Sequence, residues 1–431
     1  MNQLASPPPG VAESLSLVAG FDDALVHGFA RLGDEQRAGL ASLASVFAGT
    51  PLGPSLIDAI DAVERSEFLA RSFLTLAAAR VALLGAAHDA LTAQLRQSLD
   101  RPAAESDPLE LPSATPSRSA AALSSTQHWL TELAIAGLRN LEESTVVPFE
   151  STLELIQDDP DLIGLATLLV GFSKELVRSI PGSSKVIPAM RWGDLWSGAM
   201  IRTQELPPTP TFRPASGLLT PLGLDIQAHE NFVCAILYGV FDDGEPRTVR
   251  MPFNGYKVDV VSGPEIWDLF EPTAEPVLSA LASGRSLQIA GAELRSNGDL
   301  IPRSSPELGG KSDPFAVADR LTSLPSPPAL LRHPVHLAEV VRLPGDHGLP
   351  LALERLPTNS ELTAGAVADA SDLIGLLRFD QGGWRVQPLC IRDKKSFHMS
   401  GESLAGLRKK LKDRPLEILK ERAGRLLRAK S

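Results

Sequence analysis

Between residues 11 and 204 apolar side chains recur every three to four positions, and after Ser216 they tend to alternate with polar ones. The first spacing puts them on one face of a helix and the second on one face of a strand. The chain is therefore predicted to be α+β: an N-terminal helical bundle, then an antiparallel β-rich domain (sheet or open barrel), then a C-terminal amphipathic helix. Helices are expected at 11–32, from Asp34 to the Gly49-Thr50-Pro51 stop, and over 55–95, a run too long to lack a break near Ser66 or Gly85. A second helical block is expected at 120–144, 148–157, 160–180 and 188–204.

The stretch from His229 to Phe270 is the part most strongly patterned for a sheet. It predicts strands at 231–241 and 247–253 joined by Asp242-Asp243-Gly244-Glu245, a third at 256–261, and a helix opening at Ser262-Gly263-Pro264-Glu265. A strand is also expected at 223–227. Further hairpins are expected at 286–295 with 299–302 around Ser296-Asn297-Gly298, at 335–343 with 349–356, and at 372–380 with 384–392. Short helices fit 314–321 and 359–370. Hairpins without helical crossovers favour antiparallel pairing over a parallel core.

Proline and serine punctuate this plan. Residues 1–10 read as a disordered lead, 101–119 as a flexible linker inside the helical domain of 11–204, and 205–216 as a stiff Pro-rich connector. The β-rich domain is expected over 217–398 and a basic helix over 399–431.

Composition then removes some function classes. The 431 residues carry a net charge of −11, which argues against the whole molecule coating nucleic acid or an anionic membrane. The tail is the exception, with ten Lys or Arg against four acids from Glu402 onward. Its leucines line one side before Asp413-Arg414-Pro415 and another after it, an amphipathic helix broken at the proline that suits docking, and the cations Arg408, Lys409, Lys410 and Lys412 are candidates for a partner or nucleic-acid contact. The N-terminus lacks a basic segment followed by an apolar core, and the most apolar run, 162–173, is too short to span a bilayer. Two cysteines, Cys234 and Cys390, sit in apolar strands where a thiol is a poor nucleophile. A cytoplasmic location is expected.

Sites for chemistry are few. Glu307-Leu308-Gly309-Gly310-Lys311-Ser312 resembles the end of a phosphate loop, but Ser305 replaces the first glycine and PRSSP replaces the strand, so a flexible loop is expected. His333, His336 and His347 are the candidate metal ligands, although His333 and His336 have opposite strand parity. Glu265, Asp268 and Glu271 read as a solvated acidic face. No cofactor motif is present in the sequence. In RWGDLWSGAM, Arg191 and Asp194 are spaced to pair with each other, while Trp192 and Trp196 share a side that either anchors the helix in a core or forms a partner-binding hot spot.

That decapeptide, with FVCAILYGVF and YKVDVVSGPEIWDLF, resembles uncharacterised bacterial proteins associated with MoxR-type AAA+ ATPases, von Willebrand A-like proteins and SWIM zinc-finger proteins. The resemblance covers residues 186–270 and implies an accessory component served by a partner ATPase. It carries over no functional residue, and the zinc-finger cysteines are missing. The expectation is a cytosolic, non-enzymatic adaptor. The alternatives are a metal-dependent enzyme with a site near His333, His336 and His347, and a nucleic-acid-binding protein acting through the tail.

Overall fold

The computed structural model describes all residues except 1, 102–119, 160–161, 181–186, 205–210, 229–231, 257–262, 271, 325–336, 358–359, 395 and 408–431. The linker of 101–119, apart from Arg101, and most of the basic tail lie outside the described residues. Among the described residues two compact units emerge, one within 2–204 and the other within 211–324 and 337–407.

The first unit is helical: α1 (Val11–His27), α2 (Asp34–Phe47), α3 (Gly53–Glu64), α4 (Ala70–Ser98), α5 (Ala120–Ala136), α6 (Glu143–Val146), α7 (Glu150–Gln157), α8 (Ile163–Ser179) and α9 (Ala189–Arg202). The expected break in the long run falls between α3 and α4, where Ser66 adopts φ 61°, and Gly85 stays helical inside α4. Of the lead expected to be disordered, Asn2–Leu4 form a 3-10 turn. Leu4 is buried, and the Gln94 amide of α4 donates to the Gln3 and Ser6 carbonyls at 2.7 and 2.8 Å. One apolar side chain with a burial site is enough to order a polar lead, which composition alone does not reveal.

Among the described residues α4 is the one helix long and apolar enough to cross a membrane. Here its apolar side, including Phe73, Leu76, Leu83 and Leu84, is buried in the core of the helical unit. Aromatic rings fill the centre of that core, with Phe73 edge-on to Phe29 at 5.2 Å and Trp196 6.4 Å away.

The second unit contains two antiparallel sheets. The larger has the order β3-β2-β1-β4-β5, from β1 (Phe212–Ala228), β2 (Phe232–Asp242), β3 (Arg247–Tyr256), β4 (Arg285–Arg295) and β5 (Leu300–Pro302), with β6 (Glu307–Lys311) on the same edge of β4 as β5. Strands β1 to β3 form a meander, and β4 returns beside β1 through a 3-10 turn at Gly263–Phe270 and α10 (Ala274–Ser283), which makes a Greek key. The sheet nearly closes into a barrel where Arg250 of β3 bridges Asp299 in parallel. There the Arg250 N–H donates to the Gly298 carbonyl at 3.0 Å and its guanidinium meets the Asp299 carboxylate at 2.9 Å.

Three expectations need correction in this unit. First, the connector of 205–216 gives way to strand at Phe212. The Thr211 carbonyl accepts from Ser296 N–H, so by alternation Pro214 turns its missing N–H away from β4, toward an edge that β2 does not reach. A proline is tolerated on such an edge. Second, 307–311 is strand β6 rather than a flexible loop, and Arg285 Nε holds the Gly309 carbonyl at 2.7 Å. Third, residues 349–356 do not form a hairpin with β7 (Glu339–Pro344). β7 pairs with β8 (Asp372–Asp380), which pairs with β9 (Gly383–Arg392) and then β10 (Phe397–Met399) in a separate four-stranded sheet. From Leu373 to Phe379 every residue of β8 is buried, so it needs partners on both edges. Of the expected strand at 256–261, Tyr256 ends β3 and the rest lies outside the described residues.

A polar seam joins the two sheets. Asp225 of β1 is fully buried and accepts from Arg378 at 2.6 Å and Gln387 at 3.1 Å, while Arg378 Nε donates to Gln387 at 2.7 Å. Two residues earlier Gly223, at φ +146°, lets the backbone approach the Leu389 carbonyl, where a side chain would collide. Beside it, Ser400 Oγ accepts from Leu224 N–H at 2.6 Å. Because an uncompensated buried carboxylate is costly, Arg378→Met is expected to destabilise this unit by about 3–5 kcal/mol. A companion variant that also carries Asp225→Leu and Gln387→Leu should recover much of that loss in denaturant unfolding. No recovery would mean that shape, not charge, sets the seam.

Candidate functional site

The residues singled out in the sequence separate once the chain folds. Trp192 and Trp196 are buried, Trp192 against Phe172 at 5.8 Å and Trp196 with its Nε1 donating to the Leu130 carbonyl at 2.8 Å. Of the two readings of this pair, the core anchor describes their environment, and neither ring presents a face to a partner. Arg191 does not pair with Asp194. It reaches Glu175 of α8 at 2.7 Å, while Asp194 meets Arg80 of α4 at 2.9 Å. Residues three apart on a helix can touch, but a fully buried guanidinium elsewhere outcompetes a half-exposed one for the carboxylate.

Arg80 is the hub of this buried cluster. Its Nε and Nη2 grip Asp22 at 2.6 and 2.9 Å, and Nη1 donates to Ser197 Oγ at 3.2 Å. Gly193 explains the glycine of RWGD, because a methyl there would run into the Asp22 carboxylate and the Arg80 guanidinium. Burial pushes the Asp22 carboxyl up to about 6, against the pull of Arg80. For a folded pKa raised above 3.8, stabilisation is complete below the unfolded value and is lost as pH rises through about 6. Replacing Arg80 by Met should cost about 3–5 kcal/mol at neutral pH, since two carboxylates lose their counter-charge. The loss should shrink near pH 5, where Asp22 takes up a proton. Unfolding measured at both pH values checks this, and an equal loss at both would assign the effect to packing.

The remaining candidates carry less. His347 sits in the loop after β7, its Nδ1 accepting from Leu349 N–H at 3.0 Å, and burial holds its pKa below the ordinary value. His333 and His336 lie outside the described residues, as do Arg408, Lys409, Lys410 and Lys412. Among the described residues no three His, Cys, Asp or Glu side chains gather as metal ligands would. Burial, with Asp225 and Asp299 nearby, lifts the Cys234 thiol to about 11, and burial also raises Cys390.

A site that no sequence motif marks lies at one end of the barrel. There Thr211, Phe212 and Arg213 of the β1 start, the β2–β3 turn from Glu245 to Thr248, and the β4–β5 turn around Ser296 and Gly298 surround a cleft of about 590 Å³. Thr322 and Ser323 line it as well. Thr322 is held against β3 by reciprocal bonds, each N–H donating to the other threonine's hydroxyl at 2.8 and 3.0 Å. Phe212 is 53% exposed.

Three of the lining side chains are arginines. Arg213 and Arg247 share one acid, Asp243, at 2.6 and 3.4 Å, and Arg247 also meets the exposed Glu245 at 3.1 Å. Arg295 approaches Glu293 at 3.5 Å. Burial would raise the Asp243 carboxyl, but its two guanidiniums outweigh that and hold it below the ordinary value. Asp243 carries two guanidiniums, Glu245 shares Arg247 and Glu293 faces Arg295, so the rim sets partly exposed arginines among acids of its own. The cleft is within the usual size of a ligand site, with apolar and polar groups converging.

No family model, curated protein or solved structure matches the chain.

Proposed function

We propose that this protein is a non-enzymatic adaptor that works in the cytoplasm and holds its partner in the barrel-end cleft. The observation that carries the reading is the convergence of Arg213, Arg247, Arg295 and the half-exposed Phe212 from β1, β3 and β4 around one opening. Aromatic residues and arginine are the side chains most enriched where binding energy concentrates. Fold-level analogy adds support. Partly open, five-stranded Greek-key barrels of the OB type bind extended ligands over their second and third strands and the loop from the fourth to the fifth, and Ser296 to Gly298 occupy that loop here. The net charge of −11 counts against nucleic acid as the ligand. The resemblance over 186–270 offers one class of partner to look for first, an AAA+ ATPase.

The test is differential capture. The wild-type chain and an Arg213→Glu/Arg295→Glu variant of equal melting temperature are used as bait in a lysate of the native host. Proteins held only by the wild type are then purified and rebound to it. Loss of a rebinding partner in the variant is the expected result, with affinity falling roughly tenfold or more, because each reversal replaces an attraction by a repulsion. An unchanged set of partners would sink the reading.

A further inference from the structure

The rim of the cleft is a strand edge as well as a set of cations. β2 stops pairing with β1 at Leu218, opposite Asp242, whereas β1 continues to pair with β4 down to Phe212 opposite Arg295. From Phe212 to Gly217 one edge of β1 therefore has no strand beside it among the described residues. The alternation set by the Thr211–Ser296 bond points the backbone N–H and C=O of Phe212, and the C=O of Pro214, toward that edge. Phe212 and Arg213 of this segment line the cleft, with Glu245 to Thr248 also contributing to its wall.

An open edge of this kind accepts an extended peptide as an added strand, the backbone supplying affinity and alternate side chains supplying specificity. Pro214 removes one donor, which limits the pairing to the few groups around Phe212 and guards the edge against indiscriminate addition. Selection then falls to the side chains. Arg213 and Arg295 are 49% and 36% exposed, and Arg247 is 31% exposed, so each can reach a ligand. Among the described residues Glu245 is the acid that lines the cleft, its side chain 87% exposed, and Arg295 has Glu293 at 3.5 Å. Asp243 is already engaged by two guanidiniums.

We infer that the occupant of the cleft is an extended segment of a partner protein that carries carboxylate side chains, seated along the Phe212 edge of β1 with a carboxylate against Arg213, Arg247 and Arg295. The inference rests on the adaptor reading for its biological sense but makes its own demands. A single-stranded nucleic acid would also meet the arginines, yet it has no use for a backbone edge that offers both N–H and C=O.

The experiment uses the full chain and a fluorescent peptide of alternating valine and glutamate, read by anisotropy. Three further probes accompany it: the valine–lysine counterpart, the valine–glutamate peptide N-methylated at alternate backbone nitrogens, and oligothymidylate. Binding of the first probe is expected, weakened roughly tenfold or more both by N-methylation and by Arg213→Gln/Arg295→Gln, with the lysine peptide and oligothymidylate failing to bind. Circular dichroism and melting establish that the variant is folded. No binding of the glutamate peptide, equal binding of the lysine or N-methylated peptide, or tighter binding of oligothymidylate would each overturn the inference. Its failure is separable from that of the adaptor reading. A captured partner that depends on the cleft but is not displaced by the glutamate peptide leaves the adaptor and removes the acidic strand. A peptide that binds while every captured partner ignores the cleft does the reverse.

Discussion

Each unit of this protein is organised around a buried carboxylate that must never lose its guanidinium. In the helical unit Asp22 of α1 is held by Arg80 of α4, and Asp194 of α9 joins the same cation. In the β-rich unit Asp225 of β1 is held by Arg378 of β8 and Gln387 of β9. Charges taken out of water gain little net stability even when paired, but a broken pair is heavily penalised. Such clusters therefore fix which elements meet more than they strengthen the meeting. They tie segments far apart in sequence, where apolar packing alone would tolerate alternatives.

The placement of the cleft follows from this constraint. The Asp225 seam uses the C-terminal half of β1, and the bend at Gly223 brings its backbone up to Leu389 and Ser400 of the second sheet. The N-terminal half of β1 pairs with β4 on one side only, and the Arg250 clasp holds the β4–β5 turn against β3. What is left between the clasp and the unpaired edge is the opening lined by Arg213, Arg247 and Arg295. One strand thus serves as wall of the core in one half and rim of the site in the other.

The helical part was legible because its signal is local. Ser66, Asp34 and the Gly49-Thr50-Pro51 stop sit where helices break or begin, and those boundaries depend on a few neighbouring residues. The β hairpins closed by Asp242 to Glu245, by Ser296 to Gly298 and by Gln381 to Gly383 were legible for the same reason. Where local chemistry pointed the wrong way, a distant partner had overruled it. Pro214 lies in a strand because its edge is open, Gly309 and Gly310 lie in β6 because Arg285 and Ser286 hold their carbonyls, and Leu4 is ordered because the core admits it. Arg191 and Asp194 share a helix face but take partners from α8 and α4.

By itself the sequence determined the α+β class, the order of helices before antiparallel strands, and the positions of the tight turns, since periodicity and turn chemistry act over a few residues. Only the tertiary structure decided that the strands divide into a nearly closed barrel and a second sheet, that both tryptophans of RWGDLW are core, and that three unremarkable arginines share one opening. Those outcomes depend on register and on which buried acid meets which base. Both are settled by contacts between residues separated by tens to hundreds of positions, which no local pattern encodes.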